Sequence, residues 1–167
     1  KDANETGLPT LVITFLQHPL SLLAPPYTPQ LLTTDDENTR LFEKYGIDIC
    51  CILDFNTIFS ETTAESFING ILLKTCRIQS ISCGIDFRFG RQGLGHLDLL
   101  RKHASDQGFR ILECDTLMEN GMPVRSTRIR KTIMEGDLDS ARRMLGHAYH
   151  FQGRIIEGDR RGQAIGY

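Results

Sequence analysis

The chain has 167 residues with an apolar share of 40%, enough for one main domain with a real core. Its 19 basic and 21 acidic side chains leave a net charge of −2, which excludes a global field drawing it onto nucleic acid or an anionic membrane. No apolar run approaches the ~20 residues that span a bilayer, and the opening Lys1-Asp2-Ala3-Asn4-Glu5 is acidic rather than signal-like, which reads as a cytoplasmic protein, neither exported nor membrane-inserted.

In chain order, Leu11 to Phe15 is a short continuous apolar run, as expected for a strand buried on both faces of a parallel sheet. Pro19, Pro25, Pro26 and Pro29 follow, and this density predicts a loop over residues 16 to 33. Thr34-Asp35-Asp36-Glu37 has the spacing of a capping box. Leu41, Phe42 and Tyr45 share one helical face, and Gly46 stands where a left-handed terminator belongs. Ile47 to Leu53 predicts the next strand. Thr62-Thr63-Ala64-Glu65 then caps a helix carrying Phe67, Ile68, Ile71 and Leu72 at helical period.

Arg77 to Cys83 reads as a third strand, Leu94 to Gln107 as a helix ending at Gly108, and Phe109 to Cys114 as a fourth strand. Two short helices, about 127 to 135 and 138 to 145, close the pattern. Strands alternating with helices specify an α/β fold, a parallel sheet with helices on both faces and right-handed crossovers. Ligands in such folds bind beyond the carboxyl ends of the strands. In a doubly wound sheet the first strand is central, so an expected preceding segment would supply a strand between its neighbours.

Cysteines 50, 51, 76, 83 and 114 are odd in number, without C-x-x-C spacing, and read as buried thiols in a reducing cytosol. His96 with His103, and His147 with His150, lack a third carboxylate ligand at useful spacing, so no metal site is assigned.

Two stretches carry chemistry. Gly84 to His96 holds four glycines and several charges directly after a predicted strand, composed as a loop whose backbone can approach a ligand. In Val124 to Lys131, Ser126 or Thr127 can cap a helix, leaving free N–H groups beside four cations, the local chemistry of a phosphate site. Taken singly, the first is equally a flexible connection and the second a solvated basic helix.

Together the two resemble the bacterial bifunctional riboflavin kinase/FAD synthetase family. Its adenylyltransferase half carries a G-x-[ND]-F-x-F-G loop, matched by Gly84 to Gly90, and an S-S-T-x-I-R motif, matched by Ser126 to Arg130. Thr14 to Pro19 is similar to the family's T-F-[DE]-P-H-P loop. Gly136-Asp137-Leu138 and Leu145 to Tyr149 are similar to its closing helix and the approach to the kinase barrel. Gly158 through Gly166 resembles the kinase's first glycine loop.

The resemblance implies a Rossmann-like nucleotidyltransferase domain over 1–146, followed over 147–167 by the start of a riboflavin kinase β-barrel. It implies transfer of AMP from ATP to FMN with Mg²⁺, giving FAD. Arg128, Ser126 and Thr127 would hold the phosphates. Phe15, His18, Pro19, Gly84, Asp86, Phe87, Phe89 and Gly90 would hold the flavin.

Departures are equally specific. The family's first strand and its G-x-F-D-G-x-H-x-G-H segment, whose histidines bind ATP, would precede Lys1, and the kinase's P-T-A-N residues would follow Tyr167. Gln17 stands for proline, Arg125 for the first serine, Gln163 for arginine and Tyr167 for phenylalanine. Adenylyl transfer is therefore implied and kinase activity is not. The competing expectations are a catalytically silent flavin- or nucleotide-binding remnant, or an adenylyltransferase acting on nicotinamide mononucleotide or phosphopantetheine. A nucleic-acid role is disfavoured, because aromatics are not interleaved with the small basic cluster.

Overall fold

A computed structural model of the chain describes residues 2–151 and 153. The glycine loop expected at 158–166 lies outside the described residues. Two compact units divide the chain, Lys1–Arg125 and Ser126–Tyr167.

The first unit opens with helix α1 (Asp2–Thr6), then strand β1 (Leu11–Phe15) and a short helix α2 (Pro19–Leu23). Helix α3 (Asp35–Lys44) precedes strand β2 (Ile49–Leu53) and one helical turn, α4 (Thr57–Ser60). Helix α5 (Ala64–Ser66) continues as π-helical turns over Phe67–Thr75. Strand β3 (Ser80–Gly84), helix α6 (Leu97–Gln107) and strand β4 (Arg110–Cys114) follow. A hairpin of β5 (Met118–Glu119) and β6 (Met122–Pro123) completes the unit. In the second unit, α7 (Ser126–Met134) and α8 (Leu138–Leu145) form a helical pair.

Strands β1 to β4 are parallel, as alternation with helices requires, but they form two separate pairs rather than one continuous sheet. β1 pairs with β2 in register Leu11↔Ile49 through Phe15↔Leu53, and β3 pairs with β4 in register Ser80↔Arg110 through Gly84↔Cys114. Among the described residues the other edges of β1 and β3 have no ladder partner. The expectation that Leu11 to Phe15 is buried on both faces is accordingly not met: Leu11 is exposed and the rest of β1 is half-buried.

The core gathers instead around β3 and β4. Phe67, Ile68 and Leu72 of the π-helical segment, Cys83 of β3, Leu97 and Leu100 of α6, Phe109 and Phe89 form one buried cluster, with Ile68 and Leu100 fully enclosed. Asp2 fastens α1 to the amino ends of this pair. Its carboxylate accepts from the Ser80 hydroxyl at 2.8 Å and meets the Arg110 guanidinium at 2.7 Å.

Local signals explain most boundaries. The Thr34 hydroxyl accepts from the Glu37 N–H while the Glu37 carboxylate accepts from the Thr34 N–H at 2.7 Å, which closes the expected capping box. Gly46 and Gly108 end α3 and α6 with φ of 75° and 78°. Three expectations shift. The proline-rich loop contains α2, because Pro19 occupies the first helical position, where its missing N–H costs nothing, and His18 caps it. β3 starts at Ser80 rather than Arg77, because Arg77, at φ 50°, is the left-handed terminator of the preceding helix. The hairpin was not expected from the pattern of strands and helices. Asn120 and Gly121, both at positive φ, supply its turn. No described helix is long and apolar enough to cross a membrane.

Candidate flavin cleft

The carboxyl ends of β1 and β3 lead into segments that the sequence marks as functional. β1 ends at Phe15 and runs through Leu16 and Gln17 into the cap of α2. There His18 Nδ1 accepts from the Leu20 N–H at 3.2 Å, which assigns the ring proton to Nε2 when the ring is neutral. β3 ends at Gly84, and Phe87 N–H donates back to the Gly84 carbonyl at 3.1 Å, so the chain turns sharply at Ile85 and Asp86.

Beyond that turn the loop is rigidly seated. Phe89 and Gly95 exchange two backbone hydrogen bonds of 3.2 and 2.8 Å, and the Arg91 N–H donates to the Thr62 carbonyl at 2.7 Å. Gly90, at φ 71°, lies so close to Ala64 that an added Cβ would sit 2.7 Å from its backbone. Glycine is thus required there twice over, for its dihedral and for the approach it permits. The Arg91–Glu61 ion pair at 3.3 Å ties the same two segments together at the surface.

A cavity of about 910 Å³ runs between β1 and β3, from Asp2 and Ser80 at the amino ends of the strands to Phe15 and Gly90 at their carboxyl ends. Residues of both β1 and β3 line it, Val12, Ile13 and Ile81 among them, and aromatic rings gather in its wall. Phe15, Phe55 and Phe59 pack edge to face or tilted, with centroids 5.1 to 5.8 Å apart. Phe87 stacks on Phe89 at 5.3 Å, and Phe89 contacts Phe67 at 5.5 Å. Phe15, Phe55, Phe59 and Phe87 are only half-buried, which leaves ring surface for a flat apolar ligand. Cys76 also borders the cavity, and burial pushes its thiol above the ordinary range.

Of the flavin-side residues expected from sequence, Phe15, Pro19, Phe87, Phe89 and Gly90 line this cavity. His18, Gly84 and Asp86 do not line it, although each adjoins a residue or turn that does. Phe89 is buried in the core, so its part is to support Phe87 rather than to offer a face. Asp86 is ion-paired with Arg125, Oδ2 to Nη1 at 2.9 Å. Phe55 and Phe59 carry no motif in the sequence; they come together because Phe55 precedes the Asn56 cap of α4 and Phe59 lies in the turn that follows it.

Ser126, Thr127 and Arg128 open α7 in the second unit. The helix begins at Ser126 itself, so the two hydroxyl residues are its first helical positions rather than its cap. The backbone N–H groups of that first turn have no partner within the helix, a property of every helix start.

Comparison with known proteins decides the family: the FAD synthetase model matches residues 1–128. The chain belongs to the FAD synthetase family. Relatives of this chain include bifunctional riboflavin kinase/FMN adenylyltransferases. That of Buchnera aphidicola from Schizaphis graminum is 33% identical over 168 residues, covering 100% of the chain and 54% of the relative. The Escherichia coli K12 protein is 33% identical over 100% of the chain and 53% of its own length. The Listeria monocytogenes protein is 32% identical over 99% and 52%. The chain thus spans about half the length of these relatives.

A solved structure described as a macrolide-efflux protein from Streptococcus pneumoniae superposes with a TM-score of 0.82 at 24% identity, covering 99% of this chain and 54% of that one. At that identity the likeness speaks to the fold alone.

Proposed function

We propose that this FAD synthetase chain transfers AMP from ATP to FMN, forming FAD and pyrophosphate. The observation that carries the reading is the cluster of half-buried aromatic rings at the carboxyl ends of parallel strands, in a chain whose family makes FAD. Phe15, Pro19 and Phe87 would hold the isoalloxazine, with Phe55 and Phe59 extending the aromatic wall and Gly84, Phe89 and Gly90 shaping the loop beneath. His18 fixes the turn between β1 and α2 and keeps its Nε2 proton for a polar edge of the ligand.

Adenylyl transfer needs no nucleophile from the protein. A phosphate oxygen of FMN attacks the α-phosphorus of ATP in line with departing pyrophosphate, so catalysis is positioning and charge neutralisation. The first-turn N–H groups at Ser126 and Thr127 and the guanidinium of Arg128 are the groups assigned to the phosphates. Mg²⁺ enters with the ATP phosphates as part of the substrate. Riboflavin and FMN differ by one phosphate, and an acceptor such as nicotinamide mononucleotide has no tricyclic ring to lie against Phe15 and Phe87.

The segment 1–146 is read as the adenylyltransferase domain, with a further strand preceding it. Support for that strand comes from the unpartnered edges of β1 and β3, both of which contribute residues to one apolar cavity. Segment 147–167 is read as the beginning of a riboflavin kinase barrel, in keeping with the names and lengths of the relatives. A cytoplasmic location follows from the substrates proposed.

The test is incubation of the intact protein with ATP, FMN and Mg²⁺. FAD formation at an enzymatic rate supports the reading, whereas flavin binding without FAD formation would leave a binding remnant. In the active protein, Arg128→Ala should lower turnover at least about tenfold, the scale of ~1.4 kcal/mol in a barrier, and unchanged turnover removes Arg128 from the site.

A further inference from the structure

Arg125 stands where the resembling family has serine, and it meets Asp86 at 2.9 Å across 39 residues of sequence. Asp86 sits two residues past the carboxyl end of β3, next to Phe87 of the cleft wall. A lone carboxylate at that place would repel an anionic ligand. Arg125 cancels this charge with one of its N–H groups and retains others, because a guanidinium carries five donors in a fixed fork. Both side chains are more than half exposed, 59% for Arg125 and 61% for Asp86. Such a pair contributes little to folding and can reorganise when a ligand arrives.

Resting on the flavin reading above, we propose that Arg125, whose pairing with Asp86 neutralises that carboxylate, is a specificity-determining residue that favours a phosphate-bearing flavin over uncharged riboflavin. The pair leaves the turn beside Phe87 without the negative charge that Asp86 alone would give it. The remaining guanidinium donors are suited to two oxygens of a phosphate monoester. The serine of the resembling family could offer one neutral hydroxyl there, so discrimination by charge is a feature of this chain's own sequence.

The experiment is equilibrium titration of the intact protein with FMN, riboflavin and ATP separately, in wild type, Arg125→Ser and Arg125→Lys. Far-UV circular dichroism checks that each variant is folded. The proposal expects Arg125→Ser to weaken FMN about tenfold, the worth of one charge-assisted hydrogen bond, while riboflavin and ATP stay within about twofold. Arg125→Lys keeps the charge without the fork and should recover part of the loss. Equal loss for FMN and riboflavin, no loss for either, or a loss confined to ATP would each overturn it. Wild-type protein that binds neither flavin would sink the flavin reading itself, an outcome distinct from these.

Discussion

The two parallel strand pairs differ in composition and in environment, and the more apolar pair is the one that holds no buried residue. β3 and β4 are flanked by α6 and the π-helical segment and contribute to a core in which Ile68 and Leu100 are fully enclosed. β1 and β2 are the more apolar strands, Leu-Val-Ile-Thr-Phe and Ile-Cys-Cys-Ile-Leu against Ser-Ile-Ser-Cys-Gly and Arg-Ile-Leu-Glu-Cys, yet Leu11, Ile49 and Ile52 are exposed and neither strand holds a buried residue, whereas β3 buries Cys83. An apolar strand is therefore not automatically a core strand, since burial needs a neighbour on each side. The buried core is concentrated around one pair, and the other pair carries half-covered aromatic surface at its carboxyl end.

That contrast can be broken by mutation. Leu100→Ala should cost about 2–5 kcal/mol in chemical denaturation, the range for truncating an enclosed side chain. Ile52→Ala, at a position 47% exposed, should stay within about 0.5 kcal/mol. Similar costs at the two sites would abolish the distinction. Gly90→Ala tests the loop that joins the regions. A positive φ and the Ala64 backbone at 2.7 Å together predict a loss of at least about 1 kcal/mol, and a neutral result would mean the loop moves freely.

The smallest expected effect lies at the start of β1 and β2. The Thr10 N–H and hydroxyl donate to Asp48 Oδ2 at 2.7 and 2.8 Å, and these bonds hold the Asp48 carboxyl below its usual range. A depressed folded pKa stabilises the protein above the unfolded value of ~3.9 and loses that contribution as pH falls through the folded one. The stability difference between wild type and Asp48→Ala should accordingly shrink as pH is lowered from 5 towards ~2. A difference that grows on acidification would contradict the assignment.

The sequence was most legible where one residue has one physical job. Thr34, Glu37 and Gly46 mark α3 because capping and left-handed termination are local, and Gly90 is explained by the contact its backbone makes. It is less legible where one residue admits two local readings. Pro19 breaks a helix in general and starts one here, because His18 supplies the cap. Arg77 looks like the first residue of a strand and ends a helix instead, a role usually given to glycine. The Asn120-Gly121 turn was local and readable, and passed unnoticed because the flanking strands are two residues each. In the cleft, the motifs pointed to Phe15 and Phe87, whereas Phe55 and Phe59 belong to no motif and become visible only when β2 sets them beside Phe15.

The central claim is that the half-buried rings of Phe15, Phe55, Phe59 and Phe87 receive an isoalloxazine. It is tested most directly by the visible absorption spectrum of FMN titrated with the intact protein. The account predicts a saturable shift of the flavin bands, as water around the ring is replaced by aromatic side chains, and its weakening in Phe59→Ala. A flavin spectrum that stays that of free FMN at high protein concentration would contradict it.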